Sequence, residues 1–204
     1  MLDQILSIIT PQHGGTFIDC TFGAGGYSEA ILRFPNTKVI AFDRDPEAVF
    51  HAKKLVELDS RLEIVHSKFS AIPTAVPFFR RGIDGAFFDL GVSSPQLDNV
   101  DRGFSFNTDG PLDMRMDQTS GMTAEDWVNS ASEKEIARVL WTFGEERNSR
   151  KIAKKIVWCR GNKPIKTTRE LANIVRSSST RNHRIDSATR SFQAIRIFLN
   201  IQVA

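Results

Sequence analysis

The run Phe17-Ile-Asp-Cys-Thr-Phe-Gly-Ala-Gly-Gly-Tyr-Ser28 constrains the fold more than any other part of the chain. A short apolar strand runs into a Gly-x-Gly-Gly loop, and a helix is expected to begin near Ser28. Glycine lets the backbone turn sharply and approach a ligand, and the helix N-terminus behind it offers unpaired N–H groups. At the first strand–helix crossing of an α/β sheet such a loop marks a nucleotide-type site, although an ordinary tight turn has the same composition. A second apolar run, Lys38-Val-Ile-Ala-Phe-Asp43, ends in an acid 24 residues after Asp19. An acid there accepts hydrogen bonds from ribose hydroxyls.

Two cofactor classes fit this arrangement. A dinucleotide needs Gly-x-Gly-x-x-Gly, but here the glycines are Gly23, Gly25 and Gly26, and the third fingerprint position falls on Ser28. Asp19, just before the loop, would repel a pyrophosphate and would suit the ammonium of S-adenosylmethionine (SAM). The spacing therefore favours SAM, with a nicotinamide-dependent dehydrogenase as the weaker alternative.

The first ninety residues alternate strand and helix. Strands are expected at 16–20, 38–43, 61–66 and 83–90, the last ending at Asp89 and Leu90. Helices are expected at 28–34 and after Asp45-Pro46-Glu47, which combines a side-chain cap, proline at the first helical position and an acid in the first turn. Leu2, Ile5, Leu6 and Ile9 fall on one face of an N-terminal helix. Alternating strands and helices imply a doubly wound parallel sheet. From 91 to 121 the pattern breaks into a loop rich in Gly, Pro, Asp, Ser and Asn, and loops of that length are usually functional. Helices return at 124–129, 136–142, 147–160, 171–176 and 187–200, three of them announced by Thr123, Ser132-x-x-Glu135 and Thr167-x-x-Glu170. The expected organisation is a sheet domain of residues 1–100 and 185–204, interrupted by a mostly helical insertion at 101–184.

Charge is distributed unevenly. From Asp84 to Glu135 there are eleven acidic and three basic residues; from Arg147 to Arg184 there are twelve basic residues and one acid, Glu170. The basic block suggests a polyanion partner, the alternative being a solvated helix face. Cys20 and Cys159 lie far apart, and four scattered histidines give no metal spacing. No apolar run reaches membrane-spanning length, and the N-terminus lacks a basic leader region, so a cytoplasmic protein without a membrane partner is expected. Oligomeric state is open, a dimer included.

At the expected carboxyl edge of the fourth strand stands Asp89-Leu-Gly-Val-Ser-Ser-Pro-Gln-Leu-Asp98, where Asp89 and Gln96 could bond a ligand. Together with Thr21-Phe-Gly-Ala-Gly-Gly26, Asp43-Arg-Asp-Pro46, Arg102-Gly-Phe-Ser-Phe106, Asp109-Gly-Pro-Leu-Asp-Met-Arg-Met-Asp117, Gly144-Glu-Glu-Arg147 and Thr189-Arg-Ser-Phe-Gln-Ala-Ile-Arg196, this run resembles the bacterial 16S rRNA (cytosine-N4) methyltransferase H family. The resemblance spans nearly the whole chain. It implies a Rossmann-like, class I SAM-dependent enzyme that methylates a cytidine of 16S rRNA near the ribosomal P site of the small subunit. It carries cofactor contacts onto Gly25, Gly26, Tyr27, Asp43, Phe69, Asp89 and Gln96. The proton acceptor is expected to be Asp89 or the Leu90 carbonyl, since Asp89-Leu-Gly-Val replaces the Asp/Asn-Pro-Pro-aromatic motif of many amino-methyltransferases. Tyr27 stands where the family has histidine. Phe104 and Phe106 are open between stacking on a base and burial in the loop; Arg102 and Arg147 are open between phosphate contacts and ion pairs. Because the family continues beyond this chain's end, the last strands of the sheet are expected to be missing, and a catalytically inactive or merely RNA-binding chain is the alternative reading.

Overall fold

β1 (Gly15–Asp19) sends Phe17 to one face of a sheet and Ile18 to the other, and β2 (Thr37–Asp43) does the same with Val39 and Ala41 against Ile40 and Phe42. Strict alternation of fully apolar residues is what a strand covered on both faces requires. A computed structural model gives the structure and describes residues 2–75, 82–178 and 186–201. The described residues fall into two compact units, Met1–Ser93 and Ser94–Ala204.

The first unit is a parallel sheet of order β3-β2-β1-β4, with β3 at Leu62–His66 and β4 at Gly85–Phe87. One face packs Phe17, Val39, Ala41, Leu62 and Phe87 against Ile31 and Leu32 of α2 (Gly26–Leu32) and Ala52 of α3 (Pro46–Leu58). Ile5, Leu6 and Ile9 of α1 (Leu2–Ile9) join that layer, whereas Leu2 is exposed. The other face packs Ile18, Cys20, Ile40 and Phe42 with Ile72 of α4 (Ile72–Ala75). The sheet order reverses between β1 and β4, which creates the switch-point crevice at the carboxyl edge.

The second unit is helical. Its elements are α5 (Ser94–Asp98), α6 (Ala124–Ser130), α7 (Glu133–Gly144), α8 (Ser149–Asn162), α9 (Thr168–Ser178) and α10 (Ser187–Ile201). The caps read from sequence form. Asp45 accepts from the Glu47 amide, Thr123 and Asp126 make a reciprocal capping box, and Ser132 accepts from the Glu135 amide. Thr167 and Glu170 likewise exchange bonds. The core joins Leu112, Trp127, Ile136, Leu140, Ile152, Ile156, Leu171 and Val175 to Phe192, Ile195 and Phe198 of α10.

Two boundaries differ from expectation. The last helix, assigned by sequence to the sheet domain, buries its apolar face in the helical unit, because Phe192 and Phe198 find aromatic partners in Phe106, Trp127 and Phe143 there. The fourth strand ends at Phe87 rather than running to Leu90. Its ladder to β1 covers only Gly85–Phe87, and the Asp89 amide then donates to the Thr21 hydroxyl, 2.8 Å away, rather than to a strand carbonyl. Among the described residues β4 pairs on one side only.

Candidate functional site

Three carboxylates converge on the glycine loop at the carboxyl edge of the sheet. Asp19, at the end of β1, is 1% exposed. Its oxygens accept from the Thr21 amide at 3.1 Å and the Ser28 hydroxyl at 2.7 Å. Burial pushes the Asp19 carboxyl up to about 6; the Ser28 and Thr21 bonds oppose this, and the charges of Asp43 and Asp89 add to it. Asp43, at the end of β2, accepts from the Gly23 and Asp45 amides, each at 2.8 Å. Burial also holds Asp43 above the usual carboxylate range, against the pull of those bonds and of the Arg44 amide. Asp89 is exposed just past β4. Burial, followed by the Asp89 charge and a hydrogen bond to its carboxylate, raises the Tyr27 phenol above its ordinary value.

The loop between these acids has a shape only glycine gives. Gly25 has φ 86°, caps α2, and would place a Cβ 2.7 Å from the Phe22 ring. That conformation and that contact exclude a side chain. Gly26 is different: a Cβ built on it meets nothing within 4 Å. Its glycine leaves open space beside the helix N-terminus without relieving any internal crowding. Beyond the loop, Phe69 is 41% and Phe88 50% exposed, and their rings meet edge-on with centroids 5.4 Å apart. Two half-exposed aromatics at a sheet's carboxyl edge offer a flat apolar contact.

Three acids gathered at one loop, with burial and the neighbouring carboxylates raising the cost of Asp19's negative charge, make a site suited to a cation. SAM carries an ammonium and a sulfonium, so the donor set fits it better than a pyrophosphate. Ser28, at the dinucleotide fingerprint's third glycine position, is fully buried and tied to Asp19.

The sequence profile of the MraW methylase family matches residues 1–204. This chain belongs to the MraW methylase family. A protein of Wolbachia sp. subsp. Drosophila simulans (strain wRi), named ribosomal RNA small subunit methyltransferase H, is 51% identical over 98% of this chain and 69% of its own length. Proteins of the same name from Ehrlichia chaffeensis and Chromobacterium violaceum are 49% and 48% identical; the chain covers 69% and 64% of them. The chain thus spans about two thirds of the length of these relatives. The parallel sheet described above is the class I methyltransferase fold of the MraW family.

In this MraW-family chain Gly25, Gly26, Tyr27, Asp43, Phe69 and Asp89 all lie in the first unit. Gln96 lies in the second unit, on α5, 7% exposed. Thr21 and Ser28 are contributors that sequence reasoning missed. Both sit inside the glycine run, and their hydroxyls tie it to Asp89 and Asp19.

The open alternatives in the long loop are resolved in favour of structure. Phe104 is fully buried, and Phe106 packs edge-on against Phe192. Arg102 is 1% exposed and donates to the carbonyls of Arg115 and Met116, so it cannot meet a phosphate. Asp113 and Arg115 pair at 2.8 Å, and Asp117 accepts from Thr119 and Ser120. The basic block includes Arg150, Lys151, Lys154 and Lys155 on α8; Arg181 and Arg184 lie outside the described residues. No helix among the described residues is long and apolar enough to cross a membrane.

Proposed function

We propose that the chain binds SAM at the Gly23–Gly26 loop and acts on the exocyclic N4 amine of a cytidine in 16S rRNA near the ribosomal P site. The observation that carries this reading is the convergence of Asp19, Asp43 and Asp89 on a glycine loop with open space at Gly26. Bound SAM supplies an electrophilic methyl group. Asp43 accepts from the ribose hydroxyls with lone pairs left over from its backbone bonds. Phe69, with Phe88, faces the adenine. Asp19 and Asp89 supply the negative charge that holds the cationic groups.

Cytosine N4 is a poor nucleophile because its lone pair is conjugated into the ring. Holding it in line supplies much of the acceleration. Asp89, oriented by the Tyr27 hydroxyl and by the Thr21 bond to its own amide, takes the proton that the amine must lose. The Leu90 carbonyl is the neighbouring acceptor. The helical unit, residues 101–184 above all, recognises RNA through its basic block, and unpaired RNA presents a base that can be splayed into such a site. A soluble cytoplasmic enzyme, monomeric or dimeric, is the corresponding form.

A second reading is an RNA-binding chain without methyl transfer. Among the described residues β4 pairs on one side only, and Leu90, just past it, is 72% exposed. One experiment separates the two. The chain is incubated with methyl-labelled SAM and small ribosomal subunits lacking the modification, and the product nucleosides are identified by mass spectrometry. Label in N4-methylcytidine is expected. Label at another atom overturns the first reading, and RNA binding with no label establishes the second.

A further inference from the structure

The motif Gly144-Glu-Glu-Arg147 lies in the helical unit. Three of its residues shape a turn. Gly144 lets α7 meet α10 backbone to backbone: an added Cβ would stand 2.5 Å from the Arg190 carbonyl oxygen and 3.0 Å from the Ala194 Cβ. Glu145 takes the left-handed conformation, φ 49°, and its amide closes the helix by donating to the carbonyls of Leu140 and Trp141. Glu146 is buried and accepts from the Asn148 amide at 2.9 Å. Arg147 has none of these duties and stands exposed.

Arg147, from the turn, and Arg190, from α10, line a cleft of about 560 Å³ together with Trp141 and Glu145. Small-ligand sites occupy roughly 300–1,000 Å³. Trp141 is 60% exposed although α7 has an apolar stripe of Ile136, Val139 and Leu140 to bury. An indole left in water beside two guanidiniums is unneeded by the core. Among the described residues neither arginine is held in an ion pair.

We propose that this cleft binds one unpaired nucleotide of single-stranded RNA, distinct from the nucleotide that receives the methyl group. The base stacks on the Trp141 indole, the phosphate lies between Arg147 and Arg190, and the Glu145 carboxylate accepts from an amino group on the base. Aromatic stacking and arginine contacts to the backbone are the two elements of sequence-tolerant single-strand binding. The proposal rests on the reading that the chain acts on RNA. An acidic peptide would use the arginines and leave the indole idle.

The test titrates the whole chain with a fluorescein-labelled single-stranded RNA of about ten nucleotides at several salt concentrations. Trp141→Ala should weaken binding about 5- to 100-fold, whereas Trp141→Phe keeps most of the affinity. Arg147→Gln and Arg190→Gln should each lower the slope of log affinity against log salt by about 0.7. SAM affinity should be unchanged in all four. Parent-like affinity and salt slope in the variants overturn the proposal, as does displacement of the RNA by an oligoglutamate with no effect of Trp141→Ala. If Trp141→Ala does not fold, the two arginine slopes decide. Methyl transfer by the parent alongside unaltered RNA binding in the variants sinks the cleft alone; weakened variants of a parent that transfers no methyl group sink the enzymatic reading alone.

Discussion

The Gly23 amide points at the Asp43 carboxylate, nitrogen to oxygen 2.8 Å, across 20 residues of sequence. The acid that ends β2 therefore does two things: it shapes the glycine loop and it faces the proposed ribose. Asp43→Ala should lower SAM affinity about five- to hundredfold, the worth of roughly 1–3 kcal/mol of lost hydrogen bonds. Asp43→Asn, which keeps an acceptor for Gly23, should fall between the two. Calorimetry showing parent affinity in a folded Asp43→Ala protein would remove Asp43 from the site.

Gly25 and Gly26 are predicted to respond in opposite ways. Gly25→Ala forces a side chain onto the Phe22 ring at φ 86° and should destabilise the protein by about 1–3 kcal/mol. Gly26→Ala meets open space in the first turn of α2, where alanine is the better helix former. It should leave thermal stability equal or higher while reducing SAM affinity at least severalfold. Equal SAM affinity in Gly26→Ala and the parent would show that the ligand does not use that space.

Asp19 makes stability fall as pH rises. Its carboxyl ionises near 3.8 when unfolded and about 6 when folded. Between those values the native state holds a proton that the unfolded chain has lost, so the full stability exists below about 4 and is lost through about 6. Two pH units correspond to roughly 3 kcal/mol at most. Asp19→Asn retains partners for Thr21 and Ser28 without the charge. In urea unfolding it should be more stable than the parent by about 1–3 kcal/mol at pH 7.5 and about equal at pH 4. A difference of one size at both pH values would place the effect elsewhere. Cation binding favours the ionised acid, so SAM binding near pH 6 should also release protons, read by calorimetry in buffers of different ionisation enthalpy.

Local chemistry was the legible part of this sequence. Asp45-Pro46, Thr123 with Asp126, and Thr167 with Glu170 announce helix starts because a cap needs only residues within one turn. Alternation located β1, β2 and β3 to within a residue. It failed at β4, where the apolar run continues through Phe88 and Leu90 although the ladder stops at Phe87. The stop depends on the Thr21 hydroxyl, 68 residues away in the chain. The placement of α10 was hidden for the same reason: an apolar stripe states that a helix is buried, not against what. At the site, the acids and glycines were visible as types, while the roles of Thr21 and Ser28 depend on distances that no spacing rule supplies.

The basic face of α8 is predicted to contact RNA phosphates. Lys151 and Lys154 are exposed, and the Lys155 ammonium lies 4.5 Å from the Trp158 ring centroid. Reversing Lys151, Lys154 and Lys155 to Glu should weaken binding of a small-subunit rRNA fragment and flatten its salt dependence by about 2 in the log–log slope. SAM binding should not change. RNA affinity independent of salt in the parent chain would refute an electrostatic role for this helix.

Asn200, near the end of α10, holds both strands of the long loop's turn: its oxygen accepts from the Met116 amide at 2.8 Å and its nitrogen donates to the Met114 carbonyl at 2.9 Å. Arg102 grips the same turn from the other side through the Arg115 and Met116 carbonyls. The turn therefore has no independent opening motion. Freeing it would strand a buried guanidinium and several peptide groups at once. In a hydrogen-exchange experiment the Met114 and Met116 amides should exchange together with the core of α7, at the rate of whole-unit unfolding, although both belong to a segment without regular structure.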